Sequence, residues 1–187
     1  MGNRRERKRL RHPTYDYASP GAYFITTVTK GRLHLFGDVI GGKMRLNEFG
    51  EIVDLTWHDL PNHVAGILLD AFVVMPNHVH GIIVITDDNT NVGAGSVGAG
   101  SEPAPTEPAH VNKRHGLPEI VRQLKTFSAR RINQLRQTPG VAVWQRGYHD
   151  RIIRDDREWA AIRAYILDNP RRWAEDRNNL GMLGYGG

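Results

Sequence analysis

Hydrophobic residues along the chain switch between a period of two and a period near 3.6. Residues 22–29 (Ala22-Tyr23-Phe24-Ile25-Thr26-Thr27-Val28-Thr29) are β-branched and aromatic and predict a strand. Residues 34–46 predict a hairpin with His34-Leu35-Phe36 and Lys43-Met44-Arg45-Leu46 as arms, turning at Gly41-Gly42. Phe49, Ile52, Val53, Trp57 and Leu60 then recur at helical spacing, with Asn47 as N-cap and Pro61 closing the helix. Residues 66–75 and 79–86 are nearly continuously apolar and predict two central strands joined at Pro76-Asn77. A second helix is predicted over 117–136, with Pro118 in its first turn and a stripe of Ile120, Leu124, Phe127, Ile132 and Leu135. Residues 141–153 predict a strand interrupted near Gly147. Asp155 and Glu158 have capping-box spacing, so a third helix is predicted from about Asp156 to Asn169, where Pro170 ends it.

With the hairpin set aside, this order is β-α-β-β-α-β followed by a terminal helix. It predicts an α+β, ferredoxin-like fold: an antiparallel sheet with helices on one face, plus a C-terminal helix. At 187 residues the chain has room for one domain, expected over residues 15–178, with a basic arm at 1–14 and a short tail at 179–187. Residues 87–112 break the pattern. Val92-Gly93-Ala94-Gly95-Ser96 is repeated as Val97-Gly98-Ala99-Gly100-Ser101 and followed by Pro103, Pro105 and Pro108, a composition that predicts a disordered loop. Gly93, Gly95 and Gly98 match a dinucleotide-binding spacing, but prolines follow where that motif needs a helix.

Charge changes the picture more than composition does. Residues 1–12 carry a net +5, residues 13–112 −7, residues 113–136 +6 and residues 137–187 +1. A basic head and a basic mid-chain helix suggest a polyanionic partner. The candidate contacts are Arg4, Arg5, Arg7, Lys8, Arg9 and Arg11 in the arm and Arg122, Lys125, Arg130 and Arg131 in the helix. The absence of cysteine excludes disulfides, thiolate zinc sites and thiol catalysis, and fits a cytoplasmic protein. The apolar runs Ala71–Met75 and Ile82–Ile85 are too short to span a bilayer, and the basic N-terminus lacks the apolar core of a signal peptide.

The sharpest chemical signal is His78-Val79-His80 inside strand sequence. Residues i and i+2 of a strand point to one face about 7 Å apart, so two imidazoles can converge on one ion. Tyr165 and Asn169 share a helix face at i, i+4, offering a phenol and an amide oxygen; on spacing alone, core packing and helix capping are the favoured explanation. Tyr148, His149 and Asp150 form a tempting string, but consecutive strand residues alternate faces, so Tyr148 is assigned to packing. His12, His34, His58, His63, His110 and His115 are scattered and suggest no cluster.

These residues carry a resemblance. Val74-Met75-Pro76-Asn77-His78-Val79-His80-Gly81-Ile82 resembles the HUH strand of single-tyrosine (insertion sequence 200-like) DNA transposases, in which two histidines flank a hydrophobic residue. Trp144-Gln145-Arg146-Gly147-Tyr148-His149-Asp150 with Ile152-Ile153-Arg154 is similar to the family's next landmark, Tyr165-Ile166-Leu167-Asp168-Asn169-Pro170 to its nucleophile helix, and Phe24-Ile25-Thr26 to its first strand. Together they cover roughly residues 15–173 and look nearest to the REP-associated tyrosine transposases. The resemblance implies that His78, His80 and Asn169 bind a divalent metal, Mg2+ or Mn2+. It implies that Tyr165 attacks a DNA phosphorus to form a 5′-phosphotyrosine. The implied partner is single-stranded DNA with hairpins, handled by a monomer or a homodimer. A non-catalytic hairpin-binding module of the same fold is the alternative, and a phosphodiesterase using water is a third reading.

Overall fold

The computed structural model describes residues 19–87, 115–176 and 178–179. The basic arm, most of the Gly/Pro-rich segment and the end of the tail lie outside these described residues. The elements are β1 (Gly21–Val28), β2 (Gly37–Ile40), β3 (Lys43–Leu46), α1 (Glu48–His58), a one-turn α2 (Leu60–His63), β4 (Ile67–Met75), β5 (His78–Ile85), α3 (Leu117–Leu135), β6 (His149–Ile153) and α4 (Asp156–Asp168). The main sheet is four-stranded and antiparallel in the order β4-β5-β1-β6. That is the ferredoxin-like order expected of β-α-β-β-α-β, so the predicted fold class holds.

The two faces of the sheet have different partners. Tyr23, Ile25, Ile83 and Ile85 pack with Trp57 of α1 and with Leu117, Ile120 and Leu124 of α3. On the opposite face, Ala22, Ile82 and Ile153 pack against Ile162 and Ile166 of α4. Covering both faces explains why β5 is apolar along nearly its whole length. The local signals work as expected at the helix starts. Asn47 Oδ1 accepts from the backbone N–H groups of Phe49 and Gly50, both at 3.0 Å, and Asp155 Oδ1 accepts from that of Glu158 at 2.7 Å.

Several predicted boundaries are corrected. The first hairpin arm is Gly37–Ile40, because the backbone N–H groups of Leu35 and Phe36 both donate to Pro76 O and Phe36 is buried against Trp144. Gly41 and Gly42 do make the turn, at φ 60° and 72°. Pro61 does not end a helix; it sits in the first turn of α2. Of the two strands expected to be central, only β5 is: β4 lies on the sheet edge, its apolar sequence explained by α1 on one side and α4 on the other. Residues 141–147 form no named strand. Val143 is buried, Trp144 makes a single bridge to Thr29, and pairing starts only after Gly147 at φ 78°. Leu135 is exposed rather than part of the buried stripe.

Gly81, in β5 where the strand faces α1, has no room for a side chain. A β-carbon there would lie 2.8 Å from Cζ2 and 3.0 Å from Cζ3 of Trp57. Trp57 is fully buried and stacked on Phe72 at 4.3 Å, so it cannot retreat cheaply. Gly81→Ala is therefore expected to cost about 1–3 kcal/mol. Urea unfolding measures this directly, and an unchanged midpoint would show that Trp57 has somewhere else to go.

Candidate metal and nucleophile site

The face under α4 brings the predicted residues together. Thr26 pairs with His80 and Val28 with His78, so both imidazoles point to the side on which α4 packs. Helix α4 is set there by Ile162 and Ile166 and by Trp159, whose Nε1–H donates to Asp70 of the edge strand at 2.6 Å. One turn further along, the Tyr165 hydroxyl reaches 3.4 Å from His80 Nε2. His78 and His80 are 0% and 3% exposed and Asn169 is 3% exposed, whereas Tyr165 remains 39% exposed. The nucleophile candidate faces solvent while the ion-binding candidates sit beneath it.

Hydrogen bonding orients His78. Asn77 Nδ2 donates to two carbonyl oxygens, Arg32 O at 3.1 Å and Asn178 O at 2.7 Å. Its Oδ1 must therefore be the acceptor for His78 Nδ1, 2.9 Å away. With its proton on Nδ1, neutral His78 presents a lone pair at Nε2. That Nε2 is buried without a hydrogen-bond partner among the described residues, and so is Asn169 Oδ1. His80 Nδ1 lies 2.8 Å from Thr26 Oγ1, which leaves its Nε2 directed into the same space. Burial holds the His78 pKa down at about 4, helped by the positive charge of Arg32 and by His34; Asp176 and Asn169 pull the other way. An imidazole kept neutral, oriented through its second nitrogen and backed by an unpartnered amide oxygen suits a divalent cation.

The sequence reading missed four contributors. Asp176, in the turn after α4, groups with His78 and His80 so that one possible ligand atom from each lies within 4.8 Å of the others. Asn77 and Thr26 orient the imidazoles. Trp173 packs over His78 at 5.9 Å between ring centroids and also against His34 at 5.4 Å, placing one of the "scattered" histidines beside the site. Only Asn77, next to the first histidine, carried a local signal. Beside Tyr165 a cleft of about 620 Å³ is lined by Phe24, Arg32, His149 and Arg151 among others. His149 pairs across from Thr26, on the side of His80, while Tyr148 packs into the opposite core.

An uncharacterized protein of Haemophilus influenzae is 34% identical over 172 residues, covering 90% of this chain and 89% of that protein. No family model matches the chain. Among solved structures, a REP-associated tyrosine transposase bound to a REP hairpin superposes with a TM-score of 0.55 at 15% identity, covering 89% of this chain and 76% of that one. The chain belongs to the family of the Haemophilus protein and shares the fold of that tyrosine transposase.

On the tyrosine-transposase fold, the predicted basic contacts divide. Arg4, Arg5, Arg7, Lys8, Arg9 and Arg11 lie outside the described residues. Arg122, Lys125, Arg130 and Arg131 are on α3, which covers the face of the sheet away from Tyr165. Two of these are engaged in holding the fold. The half-buried Lys125 donates to Gln145 O at 2.7 Å and Gly147 O at 2.6 Å, its pKa lowered by desolvation. Arg131 donates to Thr56 Oγ1 at 3.2 Å and lies 3.5 Å from Asp59. Arg122 pairs with Glu119 at the surface, and Arg130 is exposed. The structure does not bring this helix to the cleft; among the described residues the cations that line it are Arg32 and Arg151, the latter paired at 2.5 Å with Glu158, which lines it too. No helix among the described residues is long and apolar enough to cross a membrane.

Proposed function

We propose that this chain is a metal-dependent single-stranded DNA endonuclease and strand transferase that forms a 5′-phosphotyrosine at hairpin-flanked sites. The observation that carries the reading is the Tyr165 hydroxyl, partly exposed, 3.4 Å from the Nε2 of a buried imidazole. His78, His80 and Asn169 would hold a divalent cation, Mg2+ or Mn2+. A cation held by these residues would supply Lewis acidity to a phosphate oxygen and to the developing alkoxide. Tyr165 Oη forms a bond to phosphorus as the bond from phosphorus to the 3′-oxygen breaks. A free phenol has a pKa of about 10, so it must lose its proton as it attacks. The proton that the phenol loses is balanced by the one that the departing 3′-oxygen gains. Reversal by another 3′-hydroxyl joins strands without an external energy source.

Support comes from the cleft's shape and charge. At about 620 Å³ it falls within the range typical of ligand clefts, about 300–1,000 Å³. Arg32 suits a phosphate backbone, as does Arg151 once a phosphate displaces the Glu158 carboxylate it pairs with. The hairpin comes to this chain by analogy with the solved transposase, which was bound to one.

The test uses labelled single-stranded oligonucleotides carrying hairpins from around the gene, with Mn2+ or with chelator. Cleavage with Mn2+ that chelator abolishes is expected. Hairpin binding that survives chelation, with no cleavage under either condition, would replace this reading with a non-catalytic binding module.

A further inference from the structure

The residues facing the proposed cation include more acceptors than hydrogen bonding can satisfy. His78 Nε2 carries a lone pair, because its proton is committed through Nδ1 to Asn77. Opposite it, 4.0 Å away, is Asp176 Oδ2, also an acceptor, on a side chain only 10% exposed. Asn169 Oδ1 is a third acceptor, buried and unpartnered among the described residues. Acceptors turned toward one another in a buried space repel unless something positive lies between them.

We infer that Asp176 is an anionic ligand of the divalent-cation site, joining His78, His80 and Asn169, and that cation binding thereby fastens the turn after α4 to the HUH strand. This rests on the metal-site reading above. The spacing suits it: one ligand atom from each of His78, His80 and Asp176 lies within 4.8 Å of the others. Ligands bonded at about 2.0–2.2 Å to a common ion stand roughly 3–4 Å apart, so only a small closure is needed. The chemistry suits it too. Two imidazoles alone make a poor site for a hard cation, and a carboxylate supplies both oxygen and charge.

Local structure presents Asp176 for this purpose. The chain turns through Trp173–Glu175, and the Asp176 N–H donates to Trp173 O at 3.1 Å. One carboxylate oxygen, Oδ1, accepts from the Asn178 N–H at 2.6 Å, which leaves Oδ2 directed at His78. Asn178 is tied to the same strand: its carbonyl accepts from Asn77 Nδ2 at 2.7 Å and its side-chain oxygen accepts from Arg32. Asn77 thus contacts both a proposed ligand and the segment that brings Asp176. Cation binding and docking of that segment are linked, and each must strengthen the other.

The experiment is Mn2+ titration of the full-length protein by calorimetry, with hydrogen exchange over residues 173–179 as a second readout. Asp176→Asn keeps an oxygen to accept from Asn178, so the turn should survive; it is expected to weaken Mn2+ binding at least tenfold. Asp176→Glu, which keeps the charge, should bind more tightly than Asp176→Asn. Exchange over 173–179 should slow when Mn2+ is added to the wild type and not when it is added to Asp176→Asn. If Asp176→Asn binds Mn2+ like the wild type while His78→Ala does not, the role of Asp176 is overturned and the histidine site stands. If the wild type shows no saturable Mn2+ binding, the metal site itself is overturned and this inference with it.

Discussion

Tyr165→Phe is expected to lower DNA cleavage by about 1,000-fold or more while leaving hairpin affinity within about twofold. The substitution removes one oxygen and keeps the ring. That ring packs edge-on against Phe24 at 6.1 Å and beside His80 at 5.3 Å, contacts that phenylalanine retains. Helix α4 is held by Ile162, Ile166 and the bond from Trp159 to Asp70, none of which involves the hydroxyl. A loss of cleavage without loss of folding or binding would therefore report the chemistry of the hydroxyl. Cleavage assays beside a binding isotherm make the check, and a variant that cuts at the wild-type rate would remove Tyr165 from the reaction.

The metal-free protein is expected to lose roughly 3 kcal/mol of stability as pH falls from about 6.5 to about 4. His78 has an ordinary pKa of 6.5 when unfolded and one of about 4 when buried in the fold. Above the upper value it is neutral in both states and adds no pH dependence. Between the two values, the unfolded chain binds a proton that the folded chain refuses, so stability falls with pH. Below the lower value both states are protonated and the loss levels off. Full burial of the side chain is the main cause, so solvent screening offers little relief. The check is urea unfolding at several pH values in chelator, comparing the wild type with His78→Gln. Equal slopes in the two proteins would assign the pH dependence to other groups.

The low pKa also has a functional consequence. In the metal site proposed above, a His78 that is already neutral at neutral pH would bind a cation without first losing a proton. The mutual orientation of His78 and Asn77 is part of the same arrangement. The amide fixes the tautomer, and the tautomer decides which nitrogen is offered.

The parts of the site that lie within one element were legible in the sequence. His78 and His80 are two residues apart in a strand, and Tyr165 and Asn169 four apart in a helix, so periodicity alone puts each pair on one face. Asn47 and Asp155 marked helix starts because capping acts locally; Pro170 marked the end of α4 to within a residue, although Asn169 before it keeps helical dihedrals at φ −55° and ψ −43°. What escaped depends on how elements meet. Asp176 is a single acid in a stretch with no periodicity, delivered to His78 by a short turn and by Asn178. β4 reads like a central strand because helices cover both of its sides, and strand sequence does not record which neighbour is missing. The basic face of α3 was plain as a charge cluster, but only the handedness of the fold decides which side of the sheet it occupies. That side turned out to be opposite Tyr165. Val143 mimicked a strand residue because irregular chain can also bury an apolar side chain, whereas Val141 is exposed.

The central claim is a covalent bond between Tyr165 and a DNA 5′-phosphate. The most direct test digests the product of protein, Mn2+ and a cleavable hairpin oligonucleotide, and locates the nucleotide-bearing peptide by mass spectrometry. One adducted peptide is expected, containing Tyr165 and carrying a 5′-linked nucleotide, together with a free 3′-hydroxyl on the released strand. Cleavage that yields only free DNA ends in a trapped reaction, or an adduct on a different residue, would contradict it.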